Sequence, residues 1–189
     1  GICGIRTVRG LRRISSLLRQ GSWRNIRQFK TAQRILRIYL LHIQPDAIAD
    51  AYAANLGNYA DLLYGADDFI QQLHGKMKIA LVSNGVSSIQ RSRLAKCPLT
   101  PLFDAIIISE EVGVAKPDPK MLEIALEKLG CTDKKHAILM GDSLSADIPA
   151  ANAAGIHSIY FCRKGGIQKN DATYTVTTHR EALKLLLNI

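Results

Sequence analysis

Acidic residues are absent from the first 45 positions of this 189-residue chain, although nine arginines and one lysine lie there. That segment carries a charge of +10, whereas the following 144 residues hold 15 bases and 16 acids and carry −1. The formal net charge of +9 therefore belongs to one end of the chain. It excludes a uniformly basic domain of the kind that binds nucleic acid over its whole surface.

Cysteine and long apolar runs are also scarce. The four cysteines are far apart and form no CxxC pair: Cys3, Cys97, Cys131 and Cys162. This spacing is not typical of a zinc site or a disulfide framework, and it favours reduced thiols in a cytoplasmic protein. The longest apolar run near the start, residues 35–43, is interrupted by Arg37 and His42. It is short of the roughly 20 residues that a membrane span needs, so no membrane association is predicted.

Three interpretations of the basic segment, residues 1–45, stay open. Its arginines, serines and single apolar helical face are typical of an organelle presequence. Clustered arginines near Trp23 and Phe29 would also suit a basic arm that contacts the phosphates and bases of a nucleic acid. The third interpretation is an incomplete chain with a shifted reading frame, because glutamate codons shifted by one base tend to encode arginine. The first methionine, Met77, agrees with an incomplete chain.

From Pro45 onward, the sequence pattern is that of an ordinary α/β domain. Helical spacing of apolar residues predicts helices over 46–63, from 65 to just before Gly75, and over 87–96, 118–129, 146–154 and 179–187. Short apolar runs predict strands over 78–83, 105–109, 136–140 and 157–161. Strands that alternate with helices through short connections predict a Rossmann-like, largely parallel sheet with flanking helices.

The first polar segment at a predicted strand end is Ser83, Asn84 and Gly85. Ligands of such sheets bind outside the carboxyl ends of the strands. A hydroxyl, an amide and a glycine at this place would allow backbone N–H groups to turn toward an anion. Taken alone, the same tripeptide is more often a polar turn before a helix.

Two further segments supply a cation and two carboxylates. Lys116 precedes Pro117, which keeps the lysine backbone extended, and its ammonium would stabilise the charge of a phosphoryl group. Gly141 and Asp142 follow a predicted strand, and Asp147 comes five residues after Asp142. Asp142 is a hard oxygen ligand of the kind that Mg²⁺ prefers, and Asp147 would orient Lys116 or a metal-bound water. Helix capping explains one of these aspartates but not both.

The order SNG, KP and GDxxxxD resembles the haloacid dehalogenase-like hydrolase superfamily over residues 46–189. The segments NGVSSIQRSRL, FDAIIISEEVGVAKPDP and GDSLSADI are similar to its pyrimidine 5′-nucleotidase branch. The resemblance implies an α/β core over 65–189 and places residues 1–64 where the family has its helical cap. It also implies that Ser83 and Asn84 bind the transferring phosphoryl group, that Lys116 neutralises it as a catalytic residue, and that Mg²⁺ is held by Asp142 and Asp147.

The chain departs from the family pattern at the nucleophile. The family places an aspartate nucleophile in a DxDxT-like motif at the end of the first strand, but no acid precedes Asp46 here, and neither Asp46 nor Asp50 follows a predicted strand. Loss of the nucleophile removes the aspartyl-phosphate route. The sequence therefore predicts a Mg²⁺-dependent phosphatase of nucleoside 5′-monophosphates, present as an incomplete and inactive chain.

Two alternatives stay open beside this prediction. Within the same fold, a phosphoglycolate or sugar-phosphate phosphatase or a dehalogenase would carry the same three segments. From a different class, a non-catalytic protein that binds phosphate or nucleic acid would retain the anion site without the nucleophile. A small phosphomonoester is the expected partner, and a nucleic acid is the partner of the second alternative only.

Overall fold

The computed structural model describes residues 56–57, 60–163 and 169–188. The basic segment and most of the helix predicted over 46–63 lie outside these residues. Residues 60–63 are not helical, so the prediction of a helix that reaches Leu63 is wrong at its end. The chain turns here instead, because the Ala66 N–H donates to the Leu63 carbonyl at 2.9 Å and Gly65 takes a left-handed φ of 77°.

Helices and strands alternate along the described chain, as the sequence predicts. The helices are α1 (Ala66–Leu73), α2 (Ser87–Lys96), α3 (Ser109–Val112), α4 (Lys120–Leu129), α5 (Asp147–Ala154) and α6 (His179–Leu186). The strands are β1 (Ala80–Ser83), β2 (Ala105–Ile108), β3 (Ile138–Gly141), β4 (His157–Phe161) and β5 (Tyr174–Val176). Short 3₁₀ turns occupy Thr100–Leu102 and Lys134–His136.

Some predicted boundaries shift by one or two residues for visible reasons. Strand β3 begins at Ile138 because the residues before it form a 3₁₀ turn, in which the Lys135 N–H donates to the Asp133 carboxylate at 2.9 Å. Helix α4 begins at Lys120, whose N–H donates to the Asp118 carboxylate at 2.9 Å. Asp118 therefore supports the helix start as predicted, although Pro119 takes the capping position.

The described strands form two parallel sheets, β1–β2 and β3–β4–β5, where the sequence predicts one. In the first sheet, the registered pairs run from Ala80 with Ala105 to Ser83 with Ile108. In the second, β3 ends at Gly141 opposite Tyr160 of β4. The pairs end level in both sheets, so the carboxyl ends of neighbouring strands form a rim.

Strands β1 and β3 line the junction between the two sheets. Val82 of β1 and Leu139 of β3 pack against one cluster from α4 and α5, formed by Leu122, Ala150, Ala151 and Ala154. Every residue of β1 and β3 is only partly buried, whereas Ile107 in β2 and Ile159 in β4 are at most 1% exposed. In a continuous parallel sheet, the inner strands are normally covered on both faces and are the most buried. Here β1 and β3, which lie next to the junction, are less buried than their partners β2 and β4.

A second apolar cluster closes the far side of the three-stranded sheet. Phe69 and Leu73 of α1 pack with Ile159 and Phe161 of β4 and with residues of α6. The His179 ring lies beside the rings of Phe69 and Phe161, with centroid distances of 5.5 Å and 4.7 Å. Among the residues that the structure describes, there is no helix with the length and apolar character that crossing a membrane requires.

Candidate active site

Lys116 lies almost completely out of solvent at the carboxyl ends of β1 and β3. Its Nζ donates to the Val82 carbonyl at 2.8 Å and lies 2.8 Å from Asp147 Oδ1. The two charged side chains are 9% and 10% exposed. A buried charge is costly unless it is paired and hydrogen-bonded, so the carboxylate of Asp147 fixes the position of the ammonium.

The backbone of Lys116 is held by the side chain of Asn84. The Asn84 Nδ2 donates to the Lys116 carbonyl at 2.7 Å, and the Lys116 N–H donates to Asn84 Oδ1 at 2.9 Å. The peptide between Lys116 and Pro117 is cis. Because both polar atoms of Asn84 bond to Lys116, the structure brings these two predicted residues together and gives Asn84 a positioning contact. Its direct contact with a phosphoryl group stays a prediction.

Gly141 is required by the close approach of Asp147. A Cβ added at Gly141 would lie 2.5 Å from the Asp147 Cβ and closer still to its carboxyl group. The Ser143 N–H donates to Asp147 Oδ2 at 2.9 Å, while Oδ1 meets Lys116. Both oxygens of Asp147 thus have protein partners, which is the orienting arrangement that the sequence analysis allowed for this residue.

Asp142 differs from Asp147 because its carboxylate is open to solvent. Its side chain is 56% exposed, and its nearest charged partner is the Arg163 guanidinium at 3.4 Å. Mg²⁺ is commonly held by one or two carboxylates together with waters and substrate phosphate, so Asp142 fits such an ion as a single protein ligand. The described residues contain no group of three or more His, Cys, Asp or Glu side chains placed to hold a metal. The role of Asp147 as a second ligand stays a prediction.

The loop after β1 is more constrained than the sequence suggests. Ser83 ends the strand opposite Ile108, and its role toward phosphate stays a prediction. The Gly85 N–H donates to Ser109 Oγ at 3.0 Å, and that hydroxyl lies 3.3 Å from the Gly85 carbonyl, to which it donates. Gly85 is not among the glycines of positive φ. The Gly85 N–H is therefore occupied by Ser109, and the binding of an anion by the other backbone N–H groups of this loop stays a prediction.

Sequence reasoning missed an ion pair at the same rim. Arg91 of α2 donates from Nε and from one terminal nitrogen to the two oxygens of Glu111, at 2.8 Å and 2.6 Å. The Ser87 hydroxyl donates to the same carboxylate at 2.5 Å. The Arg91 hydrogen bonds, followed by that of Ser87, lower the pKa of Glu111 to about 2. The sequence did contain a signal for this pair. Glu111 follows closely after β2, and Arg91 lies about one turn into α2, the helix after the neighbouring strand β1.

Parallel strands that alternate with helices define an α/β domain. The buried Lys116 beside carboxylates at the carboxyl ends of the strands marks a ligand site at the rim of this domain. A family model described as haloacid dehalogenase-like hydrolase matches residues 5–155, and the chain belongs to that family. The match begins inside the basic segment, so most of residues 1–45 align with the family.

Curated relatives and solved structures agree with this family. The chain is 32% identical to pyrimidine 5′-nucleotidase YjjG of Escherichia coli over 148 residues, which cover 77% of this chain and 66% of the relative. It is 33% identical to pyrimidine 5′-nucleotidase PynA of Streptococcus pneumoniae over 115 residues, which cover 60% of this chain and 48% of that relative. It therefore spans less than two thirds of the length of either relative.

The crystal structure of the putative HAD-hydrolase YfnB from Bacillus subtilis, bound to magnesium, superposes with a TM-score of 0.79 at 27% identity. The superposition covers 98% of this chain and 85% of that chain. The family and the Rossmann-like α/β fold predicted from the sequence are both confirmed.

Proposed function

We propose that this chain is the core of a Mg²⁺-dependent phosphomonoesterase that acts on nucleoside 5′-monophosphates. The observation that carries the proposal is the Lys116 ammonium, held by Asp147 and the Val82 carbonyl at the strand ends, with Asn84 holding its backbone. Two relatives named as pyrimidine 5′-nucleotidases support the substrate class.

Each residue of the site has a distinct task in this proposal. Ser83 and Asn84 contact the transferring phosphoryl group, and Lys116 stabilises its negative charge in the ground state and the transition state. Asp147 keeps the ammonium in place. Asp142 is the solvent-facing carboxylate that binds Mg²⁺, which when bound neutralises phosphate charge and orients the ester.

Turnover through an aspartyl-phosphate needs an acidic nucleophile in addition. No acid precedes Asp46, so we propose that the nucleophile lies on a further parallel strand in the junction between β1 and β3. The incomplete burial of both strands supports that place. This chain should bind phosphate, but positioning by Lys116 and Mg²⁺ alone should leave no more than a trace of turnover.

Phosphate release from a panel of nucleoside monophosphates tests the proposal. The chain is compared with a version extended at its amino end by a strand that carries a DxDxT-like motif, and with the same extension whose first aspartate is asparagine. We expect Mg²⁺-dependent release of phosphate from the first extended chain only. Failure of the extended chain to release phosphate from any of these esters would overturn the assignment to nucleotides.

A second candidate function is favoured by one observation, the ten cations and no acids of residues 1–45. A non-catalytic protein would use the anion site for phosphate and this segment for nucleic acid. Binding to RNA or DNA that falls steeply with salt, and is lost when residues 1–45 are removed, would support it. The cytoplasmic location stays a prediction under either function.

A further inference from the structure

Helix α2 is capped at its amino end by another element. Its capping residue, Val86, offers no side-chain acceptor, and its first turn contains no acid. The Ser87 N–H donates instead to Glu110 Oε2 of α3 at 2.6 Å. A carboxylate at this end satisfies a backbone donor and opposes the positive end of the helix dipole. The position of α2 therefore depends on α3.

The Glu111 carboxylate adds a second attachment between the same two helices. Its two oxygens receive two N–H groups of Arg91, and one of them also receives the Ser87 hydroxyl. The two side chains are 31% and 49% exposed, so solvent screens the pair and limits its contribution to stability. A bidentate pair nevertheless restricts direction as well as distance, and its main consequence is the geometry of the loop before α2.

That loop leads directly to Lys116. Ser109 holds the N–H and carbonyl of Gly85, and the preceding residue, Asn84, makes two hydrogen bonds to the Lys116 backbone. A displacement of α2 relative to α3 would move Ser87 and pull on the hydrogen bonds between Gly85 and Ser109 of α3, and through Asn84 it would reach Lys116.

We propose that Glu111 and Arg91 are a positioning pair, which holds the loop of residues 83–87 so that Asn84 can place Lys116. Neither residue is assigned a contact with the substrate. The consequence for phosphate binding rests on the proposed function, whereas the structural connection from Glu111 to Lys116 does not.

Amide hydrogen exchange tests the structural connection in the full chain without any ligand. The Lys116 N–H is the reporter, because it donates to Asn84. We expect Glu111→Gln to speed its exchange about tenfold after correction for global stability. The matched control is Asp104→Asn, since Asp104 also pairs with a cation, Lys78 at 2.8 Å, and accepts the Ile79 N–H at the other end of β1.

The control should leave the corrected exchange at Lys116 unchanged. Equal protection of the Lys116 N–H in the wild type and in Glu111→Gln would overturn the proposal, whether or not the protein binds phosphate.

Titration with inorganic phosphate tests the functional consequence. Glu111→Gln and Asn84→Ala should each weaken phosphate binding about five- to tenfold. Because Glu111 acts on Lys116 through Asn84, the double variant should be no weaker than Asn84→Ala alone. If the losses of phosphate affinity in the two single variants multiply in the double variant, Glu111 does not act through Asn84 and the proposal is contradicted. No phosphate binding by the wild type would count against the proposed function, and hydrogen exchange at Lys116 would still decide the positioning role.

Discussion

At the scale of single residues, the Lys116 ammonium imposes the strongest electrostatic requirement on the described site. It is nearly buried and depends on one carboxylate, that of Asp147, and one backbone carbonyl, that of Val82. Removing one partner of a buried ion pair costs much stability, because the remaining charge is left uncompensated. Replacing both partners by apolar residues costs far less.

Asp147→Asn should therefore lower the free energy of unfolding by about 3 kcal/mol, measured by urea denaturation at pH 7. The control is Asp142→Asn, which removes a carboxylate of similar charge that is 56% exposed. This control should change the free energy of unfolding by less than about 0.5 kcal/mol. Equal effects of the two variants would show that Lys116 does not depend on Asp147.

Gly141 is defined by the space that it leaves for Asp147. Gly141→Ala forces the aspartate away from its position and should cost about 2 kcal/mol of stability together with most of the phosphate affinity. Gly75→Ala is the comparison, because a Cβ there meets nothing within 4 Å. Its left-handed φ of 77° should still cost about 1 kcal/mol, but without any change in phosphate binding. Wild-type phosphate affinity in Gly141→Ala would refute this account.

The pKa of Glu111 makes the rim sensitive to acid. In the folded protein it is lowered to about 2 from an ordinary value of 4.5, first by the Arg91 hydrogen bonds. A carboxyl pKa that is lower in the folded protein stabilises the fold at pH values above the pKa of the unfolded state. This contribution is lost as the pH falls from 4.5 toward 2. The difference in unfolding free energy between the wild type and Glu111→Gln should shrink over that interval.

Urea denaturation at a series of pH values between 7 and 2 measures this difference. Arg91→Gln is the reciprocal variant and should show the same trend, since it removes the cation that lowers the pKa. A difference that does not vary between pH 5 and pH 2 would contradict the assignment.

At the scale of elements, α6 shows how a local sequence pattern specifies a helix start. The Glu181 N–H donates to Thr178 Oγ1 at 3.2 Å, and the Glu181 carboxylate accepts the Thr177 N–H at 2.7 Å. Together these contacts satisfy two backbone donors at the start of the helix. The helix packs on α1 through the apolar cluster that contains Phe69, and this cluster also includes Ile159 and Phe161 of β4.

Thr178→Ala should lower the free energy of unfolding by about 1 kcal/mol, measured by urea denaturation. Thr178→Ser keeps the acceptor and should retain most of that stability. Neither variant should change phosphate affinity, because α6 contributes no residue to the candidate site. A loss of phosphate binding in Thr178→Ala would show that α6 and the rim are coupled.

Five helices and four strands of the described chain could be predicted from their apolar patterns, whereas β5 and α3 could not. Helix α2 begins and ends where its pattern predicts, and α4 differs by two residues at its start. Strand β5 has three residues and α3 has four, too few for a period to be visible. The hydrogen bond from Gly85 to Ser109 joins distant segments, which no local pattern encodes.

At the scale of the whole molecule, the alternation of strands and helices was enough to predict the fold and a common rim for the three polar segments, whose order indicated the family. Parallel strands bring their carboxyl ends to one edge, and that rule needs only the correct assignment of strands. The described strands form two sheets where one was predicted, and the two separate at the place proposed for a further strand; which strands pair was not predictable, because pairing depends on contacts that are remote in sequence.

The junction between those sheets connects the fold to the proposed chemistry. Strands β1 and β3 contain no fully buried residue, unlike their paired neighbours β2 and β4, and Lys116 lies where β1 and β3 end. An acidic strand in this junction would carry its carboxylate to the same rim. The proposed binding of phosphate and the proposed lack of turnover thus have separate structural origins.

The central claim is that Lys116 and its neighbours bind a phosphate group, and calorimetric titration with inorganic phosphate tests it most directly. The titration compares the wild type with Lys116→Met/Asp147→Asn, which removes both charges and leaves no unpaired ion in the interior. Each is measured with and without Mg²⁺, beside Asp142→Asn. We expect the wild type to bind phosphate more tightly with Mg²⁺, Asp142→Asn to lose that gain, and the folded double variant to lose binding. Equal phosphate affinity in the wild type and the double variant would contradict the account.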